Sequence, residues 1–108
     1  MQSWVFLFAA IFLEVAGTTS MKLSAGFSRL IPSILIFVFY GLSFTAFTFA
    51  LKKIEVSTAY AIWSGVGTAT IALIGFIYFR ETVTLMKVAS IGLIITGVIG
   101  LNLSGIKE

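Results

Sequence analysis

The stretch PSILIFVFYGLSFTAFTFAL, from Pro32 to Leu51, decides the fold class. It contains no charged residue, and a helix of about 20 residues, rising about 1.5 Å per residue, crosses a hydrocarbon core of roughly 30 Å. Similar apolar runs lie on both sides of it, separated by short segments that contain lysine or arginine. The sequence therefore predicts an all-α membrane protein with four transmembrane helices, at residues 4–21, 32–51, 57–79 and 85–106.

Composition supports this prediction and excludes several classes of chemistry. The 108 residues are 59% hydrophobic and 10% charged, so the chain lacks the polar residues that would cover a soluble domain. Four spans use about 80 residues, and we expect a single four-helix transmembrane domain over residues 1–108. The chain has no cysteine and no histidine, which removes thiolates and the commonest metal ligand. We expect no cofactor, no metal site and no enzyme activity, since no nucleophile motif or phosphate loop is present.

Lysine and arginine are divided almost evenly between the two sides of the predicted bundle. The side that holds both termini carries three, Lys52, Lys53 and Lys107, and the other side carries four, Lys22, Arg29, Arg80 and Lys87. Because these residues in short loops set the direction of insertion, the near balance predicts insertion in both orientations, that is, dual topology. The alternative is that the positions of these residues within the loops, or the lipid composition, set the direction of insertion. The net charge of +3 suits loops that face anionic lipid and does not suggest nucleic-acid binding.

Glu14 lies near the middle of the first predicted span, too deep to reach either interface. An acid at that depth costs about 2.5 to 3.5 kcal/mol on insertion scales, and such acids commonly serve the movement of ions or substrates. The alternative is a protonated glutamate that hydrogen-bonds another helix. Ala10, Gly17 and Thr18 lie one turn away on the same face, where they would line a pocket or simply let helices approach closely. We predict that Glu14 serves the movement of ions or substrate.

Two aromatic residues of the third span share one helix face, because Tyr60 and Trp63 are three positions apart. Aromatic faces attract organic cations by about 0.5 to 2 kcal/mol, and an ionised Glu14 would supply the counter-charge. Anchoring at the membrane interface is the alternative for Tyr60. Further along the same span, Gly65 and Gly67 are candidate points of bending. These residues together predict a site for a small organic cation.

The second span offers a possible extension of that pocket. Tyr40 and Phe44 share a face at an offset of four, with Ser43 beside them. Phenylalanine is abundant in this chain, so Phe44 could equally face lipid.

The fourth span carries Ser90, Gly97 and Ser104 at intervals of seven residues. A stripe of small residues suits close contact with an identical helix, although it could also serve packing within one chain. One chain of this length could hardly enclose a polar path for an organic cation. We therefore expect a homodimer whose oppositely inserted copies form an inverted repeat, as alternating-access transporters do.

At this point the sequence resembles a known family, the small multidrug resistance transporters. The resemblance covers almost the whole chain and rests on LEVAGTTSMKLSAGFSRLIPS at 13–33, on AYAIWSGVG at 59–67 and on the Gly97 to Asn102 segment. It implies an antiparallel homodimer in the bacterial inner membrane that exports lipophilic or quaternary ammonium cations in exchange for protons, with Glu14 binding either proton or cation. It also implies a substrate pocket lined by Tyr60 and Trp63, with contributions from Tyr40, Ser43 and Phe44.

The family also contains a guanidinium-exporting branch, and two positions bear on the choice. In that branch the residue three positions after the essential glutamate is typically tryptophan, and the span-four position of Asn102 is typically lysine. This chain has Gly17 and Asn102 there, which favours the branch that exports polyaromatic and quaternary ammonium cations. Export of guanidinium or a small metabolite cation remains the alternative. A third hypothesis is a non-transporting or heteromeric partner subunit, in which Glu14 would only hydrogen-bond another helix.

Overall fold

The structure, a computed structural model, describes residues 2–104, and the Ser104 side chain lies outside that description. It contains four α-helices: α1 Gln2–Leu23, α2 Leu30–Ala50, α3 Val56–Ile77 and α4 Leu85–Ser104. Each helix is long and apolar enough to cross a membrane. The predicted all-α architecture with four membrane spans is therefore confirmed. The predicted end of the fourth span at Ile106, and Lys107 of the charge count, lie outside the described residues.

The chain forms two compact units, one ending at Ile54 and the other beginning at Glu55. The first unit contains α1 and α2, packed against each other as an antiparallel hairpin. The rings of Phe6 and Phe49 meet near one end of this hairpin with their centroids 5.2 Å apart. At its other end Ser24 closes the connection, because its hydroxyl donates to the Met21 carbonyl oxygen at 2.8 Å and accepts from the Phe27 N–H at 3.2 Å.

The second unit contains α3 and α4, also an antiparallel hairpin. Here α3 ends at Ile77, earlier than the predicted span end at residue 79. The reason is a change of backbone conformation: the N–H groups of Tyr78 and Phe79 both bond to the Ile74 carbonyl oxygen, and Arg80 takes a left-handed φ of 56°. The chain therefore turns away from the helix axis before α4 begins.

The first turn of α4 is capped by Thr84, whose hydroxyl accepts the N–H of Lys87 at 3.1 Å. Such a side-chain cap satisfies one of the four N–H groups that lack a helical partner at the start of a helix. The Lys87 ammonium donates to the Thr82 carbonyl oxygen at 2.9 Å. The cap and this contact hold the first turn of α4, which contains Lys87, against the preceding loop.

The exposure of α4 differs from that of the other three helices. Between Leu85 and Leu103 every side chain is exposed except Ile91 and Val98, which are half-buried. These two residues are seven positions apart and therefore lie on one face. Within its own unit, α4 thus covers only a narrow stripe along α3.

Candidate functional site

Glu14 lies on α1 within a short network of side-chain hydrogen bonds. The Thr18 hydroxyl, one turn further along the helix, donates to Glu14 Oε2 at 2.7 Å. The same hydroxyl oxygen lies 2.5 Å from the Tyr40 hydroxyl of α2, and either oxygen can be the donor of that bond. All three side chains are half-buried. The acid of α1 is therefore connected to an aromatic side chain of α2 through a single threonine.

The other pocket residues predicted in the first unit lie around this network. The Ser43 hydroxyl donates to the Ala10 carbonyl oxygen at 2.7 Å, and both residues are fully buried. The rings of Tyr40 and Phe44 stack with centroids 5.9 Å apart and an interplanar angle of 13°. A Cβ atom placed on Gly17 would lie 3.3 Å from two atoms of the Tyr40 ring. Gly17 therefore gives the Tyr40 ring room to pack against α1.

The two aromatic residues predicted on α3 meet in the second unit. The ring centroids of Tyr60 and Trp63 are 5.5 Å apart with an interplanar angle of 79°, an edge-to-face pair. Trp63 is half-buried, whereas 57% of the Tyr60 surface is exposed. The pair thus presents aromatic surface on one side of α3.

The candidate bending positions Gly65 and Gly67 lie within an α3 helix that continues without interruption from Val56 to Ile77. Gly65 is a point of close approach between α3 and α4, because a Cβ atom there would collide with the Val98 side chain and lie 3.2 Å from Ile94 Cγ2. Bending at these glycines stays a prediction. The contact with α4 is a role for Gly65 that the sequence pattern did not indicate.

The small-residue stripe of α4 lies beside the face that packs on α3. Ser90 and Gly97 are exposed and each immediately precedes a half-buried position, Ile91 and Val98. A Cβ atom on Gly97 would meet no atom within 4 Å. Gly97 lines an open groove of about 510 Å³ along α3 and α4, together with Ala61, Ser64, Gly65, Thr68, Ile94, Val98 and Leu101. The Ser104 side chain of the predicted dimer seam lies outside the described part of the chain.

Sequence reasoning overlooked one member of the Glu14 network. Met21, at the end of α1, has its sulfur 3.6 Å from the Tyr40 hydroxyl. Its spacing of seven from Glu14 places it on the same helix face, so the periodicity alone could have indicated it. Methionine is, however, a common residue near the end of an apolar span. Only the contact with Tyr40 indicates that Met21 belongs to the network.

The donor set of the Glu14 network consists of one carboxylate, two hydroxyl groups and the Met21 thioether. Among the described residues no three acidic, cysteine or histidine side chains come together as a metal site would require. Glu14 supplies a single carboxylate, surrounded by hydroxyl and aromatic groups. A carboxylate in this setting can bind a proton or pair with a monovalent cation.

Comparison with known proteins gives a consistent result. Residues 2–94 match the family model described as Small Multidrug Resistance protein. The uncharacterized membrane protein YvaE of Bacillus subtilis (strain 168) is 59% identical over 94% of this chain and 85% of its own length. The quaternary ammonium compound-resistance protein QacF of Klebsiella aerogenes is 42% identical over 95% of this chain and 94% of its own. A guanidinium exporter of Yersinia pseudotuberculosis serotype I (strain IP32953) is 39% identical over 94% and 98% respectively.

These matches confirm the resemblance stated above and the class of protein. QacF is named for resistance to quaternary ammonium compounds and the Yersinia protein as an exporter, and the family match confirms the prediction that this chain is not an enzyme. The four apolar helices and the relatives together identify a multi-pass protein of the bacterial inner membrane. The chain belongs to the Small Multidrug Resistance family.

Proposed function

We propose that this protein is a proton-coupled antiporter that exports lipophilic and quaternary ammonium cations. The observation that carries the proposal is the position of Glu14, which is the one acid within the four helices and accepts a hydrogen bond from Thr18 inside the membrane-spanning segment. A carboxylate there can neutralise either a proton or a cation. Since one carboxylate cannot hold both strongly, proton entry on one side drives cation release on the other.

The aromatic residues supply the second part of the proposed site. Tyr60 and Trp63 present an edge-to-face pair, and Tyr40 and Phe44 a stacked pair. Ring faces attract quaternary cations without requiring directional hydrogen bonds, which suits a broad range of substrates. That these two clusters serve one substrate is a prediction from the sequence, and it stays a prediction.

We further propose that the transporter is an antiparallel homodimer. One chain supplies one Glu14. In its own unit, α4 leaves Ser90 and Gly97 of the small-residue stripe exposed. Oppositely inserted copies would exchange roles during alternating access. The nearly even charge division between the two sides supports insertion in both orientations.

Gly17 favours lipophilic cations over guanidinium as the substrate. Any side chain at this position would press on the Tyr40 ring, so a bulky residue here would require Tyr40 to move. The small residue therefore lets the Tyr40 ring pack against α1, beside the Thr18 that bonds to Glu14, where the ring can meet an aromatic substrate. Export of guanidinium, the activity for which a relative 39% identical to this chain is named, is the second candidate.

The test is uptake of radiolabelled tetraphenylphosphonium into proteoliposomes under an imposed pH gradient, with guanidinium as the competing substrate. We expect the gradient to drive tetraphenylphosphonium transport and Glu14→Gln to abolish it. Glu55→Gln is the matched control, since it makes the same chemical change at an exposed acid that precedes α3. Movement of guanidinium alone would reassign the substrate. A folded protein that moves neither cation would be a partner subunit or no transporter.

A further inference from the structure

Four side chains of the first unit form an unbranched chain of contacts. Thr18 donates to Glu14 Oε2 at 2.7 Å, the Thr18 and Tyr40 hydroxyl oxygens are 2.5 Å apart, and the Tyr40 oxygen lies 3.6 Å from Met21 Sδ. This chain of contacts starts at the half-buried Glu14 carboxyl and ends at Met21, which is 44% exposed. A thioether sulfur is a weak acceptor and has no hydrogen to donate. Met21 can therefore take part only as the last acceptor of the chain.

Counting hydrogens distinguishes two arrangements of this chain. Thr18 and Tyr40 carry one hydroxyl hydrogen each, and the four side chains make three contacts with one another. When Glu14 is ionised, Tyr40 donates to Thr18 and Thr18 donates to Glu14, so no hydrogen remains for the contact with Met21. When Glu14 is protonated, the carboxyl donates to Thr18, Thr18 donates to Tyr40, and Tyr40 donates to Met21. All three contacts are then hydrogen bonds.

The change between the two arrangements breaks no O–H bond. One proton binds Glu14, and the two hydroxyl groups rotate about their C–O bonds. From α2, which packs on α1 in this unit, Tyr40 is the one titratable side chain, and α2 carries no charged residue. On α1 the other charged residue is Lys22 at the end of the helix. The direction of the hydroxyl chain is thus set by the protonation state of Glu14.

We propose that Met21 is a positioning residue that stabilises the proton-loaded form of the transporter and not its cation-loaded form, by accepting the Tyr40 hydroxyl when Glu14 is protonated. This inference rests on the proposed exchange of protons for cations. Met21 therefore acts on one state only. It strengthens the competition of protons with cations for Glu14, and it has no effect on cation binding to the ionised Glu14 carboxylate. A polar group in an apolar environment loses stability when its acceptor is removed, and that loss falls on the protonated state alone.

The test is the dissociation constant of tetraphenylphosphonium, measured on the purified full-length protein in alkaline and in acidic buffer. This probe carries a fixed charge, so a change of affinity with pH reflects a change of protonation in the protein and not in the probe. For Met21→Leu we expect the alkaline Kd to be unchanged and the acidic Kd to fall by about two- to five-fold, the range for one weak hydrogen bond. Met21→Gln, whose amide oxygen accepts, should restore the wild-type Kd in acid.

Met86→Leu is the matched control, because Met86 lies in the first turn of α4 and 77% of it is exposed. We expect it to match the wild type at both pH values. Equal changes of the Kd in acid and alkali for Met21→Leu would indicate a structural role and overturn the proposal, as would no change at either pH. Failure of Met21→Gln to restore the acidic Kd would also overturn it.

A spectroscopic measurement tests the hydroxyl chain directly. The Raman doublet of the tyrosine ring reports whether the hydroxyl mainly donates or accepts, and subtracting the Tyr40→Phe spectrum isolates Tyr40. We expect acidification to move the Tyr40 signal from strong donor toward acceptor, and a signal that does not change overturns the proposal. If wild-type Kd does not depend on pH, both the exchange mechanism and the role of Met21 are wrong. If it does depend on pH and Met21→Leu behaves as wild type, only the role of Met21 is wrong.

Discussion

The α1–α2 pair is joined by hydrogen bonds, with Ser43 donating to the Ala10 carbonyl oxygen and Thr18 meeting Tyr40, whereas the α3–α4 pair is joined by close contact at Gly65. In lipid the hydrophobic effect does not drive helices together, so polar bonds and close packing are the two available means. The first pair buries the Ser43 hydroxyl between its helices and carries the acid. The second leaves most of α4 uncovered. Under the proposed function, the first pair carries the acid of the site, and the second contributes the Tyr60–Trp63 aromatic pair and an exposed face of α4 for assembly.

The largest effect on stability is expected where α3 and α4 approach most closely. Gly65→Val would place a branched side chain against Val98, and overpacking of this kind costs about 1 to 3 kcal/mol of the free energy of unfolding. Adding Val98→Ala should recover part of that loss, because it removes the atoms that the new side chain meets. Unfolding by denaturant in detergent micelles measures both variants. A Gly65→Val protein as stable as the wild type would show that the α3–α4 contact is not a tight one.

A smaller effect is expected at the hydrogen bond between α1 and α2. Ser43→Ala removes the donor to the buried Ala10 carbonyl oxygen, and interhelical hydrogen bonds in membranes contribute about 0.6 to 1.7 kcal/mol. Ser33→Ala is the matched control, because the Ser33 hydroxyl bonds to the Arg29 carbonyl oxygen one turn back along the chain and joins no second helix. The same unfolding measurement compares the two. Equal losses for both variants would mean that the bond between helices adds nothing beyond a local one.

The smallest effect on the stability of the chain is expected on the uncovered face of α4. Gly97→Leu meets no neighbouring atom at its Cβ, so we expect no loss in the free energy of unfolding beyond about 0.5 kcal/mol. On the proposed dimer, however, the same substitution should weaken self-association by roughly ten-fold, since it fills a stripe that needs small residues. Dimer content is measured by cross-linking across a dilution series. Gly92→Leu, equally open but off the stripe, should leave dimerisation unchanged. If both variants dimerise as the wild type does, the seam lies elsewhere.

Much of the site could be predicted from the sequence because neighbours on one helix follow from helical periodicity. Glu14 and Thr18 are four residues apart, Tyr60 and Trp63 three, and both pairs meet in the structure. The periodicity did not identify Thr18 as the direct donor to Glu14. Periodicity places Met21 on the Glu14 face of α1, but only its contact with Tyr40 of another helix singles it out.

The sequence by itself determined the four membrane spans and the residues that share each helix face, because hydropathy and a period of 3.6 residues are local properties of the chain. Its motifs, and not its hydropathy, indicated the family. Only the tertiary structure decided that Tyr40 meets Thr18, that Ser43 bonds to Ala10 and that Gly65 packs on Val98. Lipid tails are as apolar as the helix surfaces, so hydropathy does not say how a helix is rotated about its axis. That rotation is set by contacts between residues far apart in the chain, and these become visible only once the helices are packed.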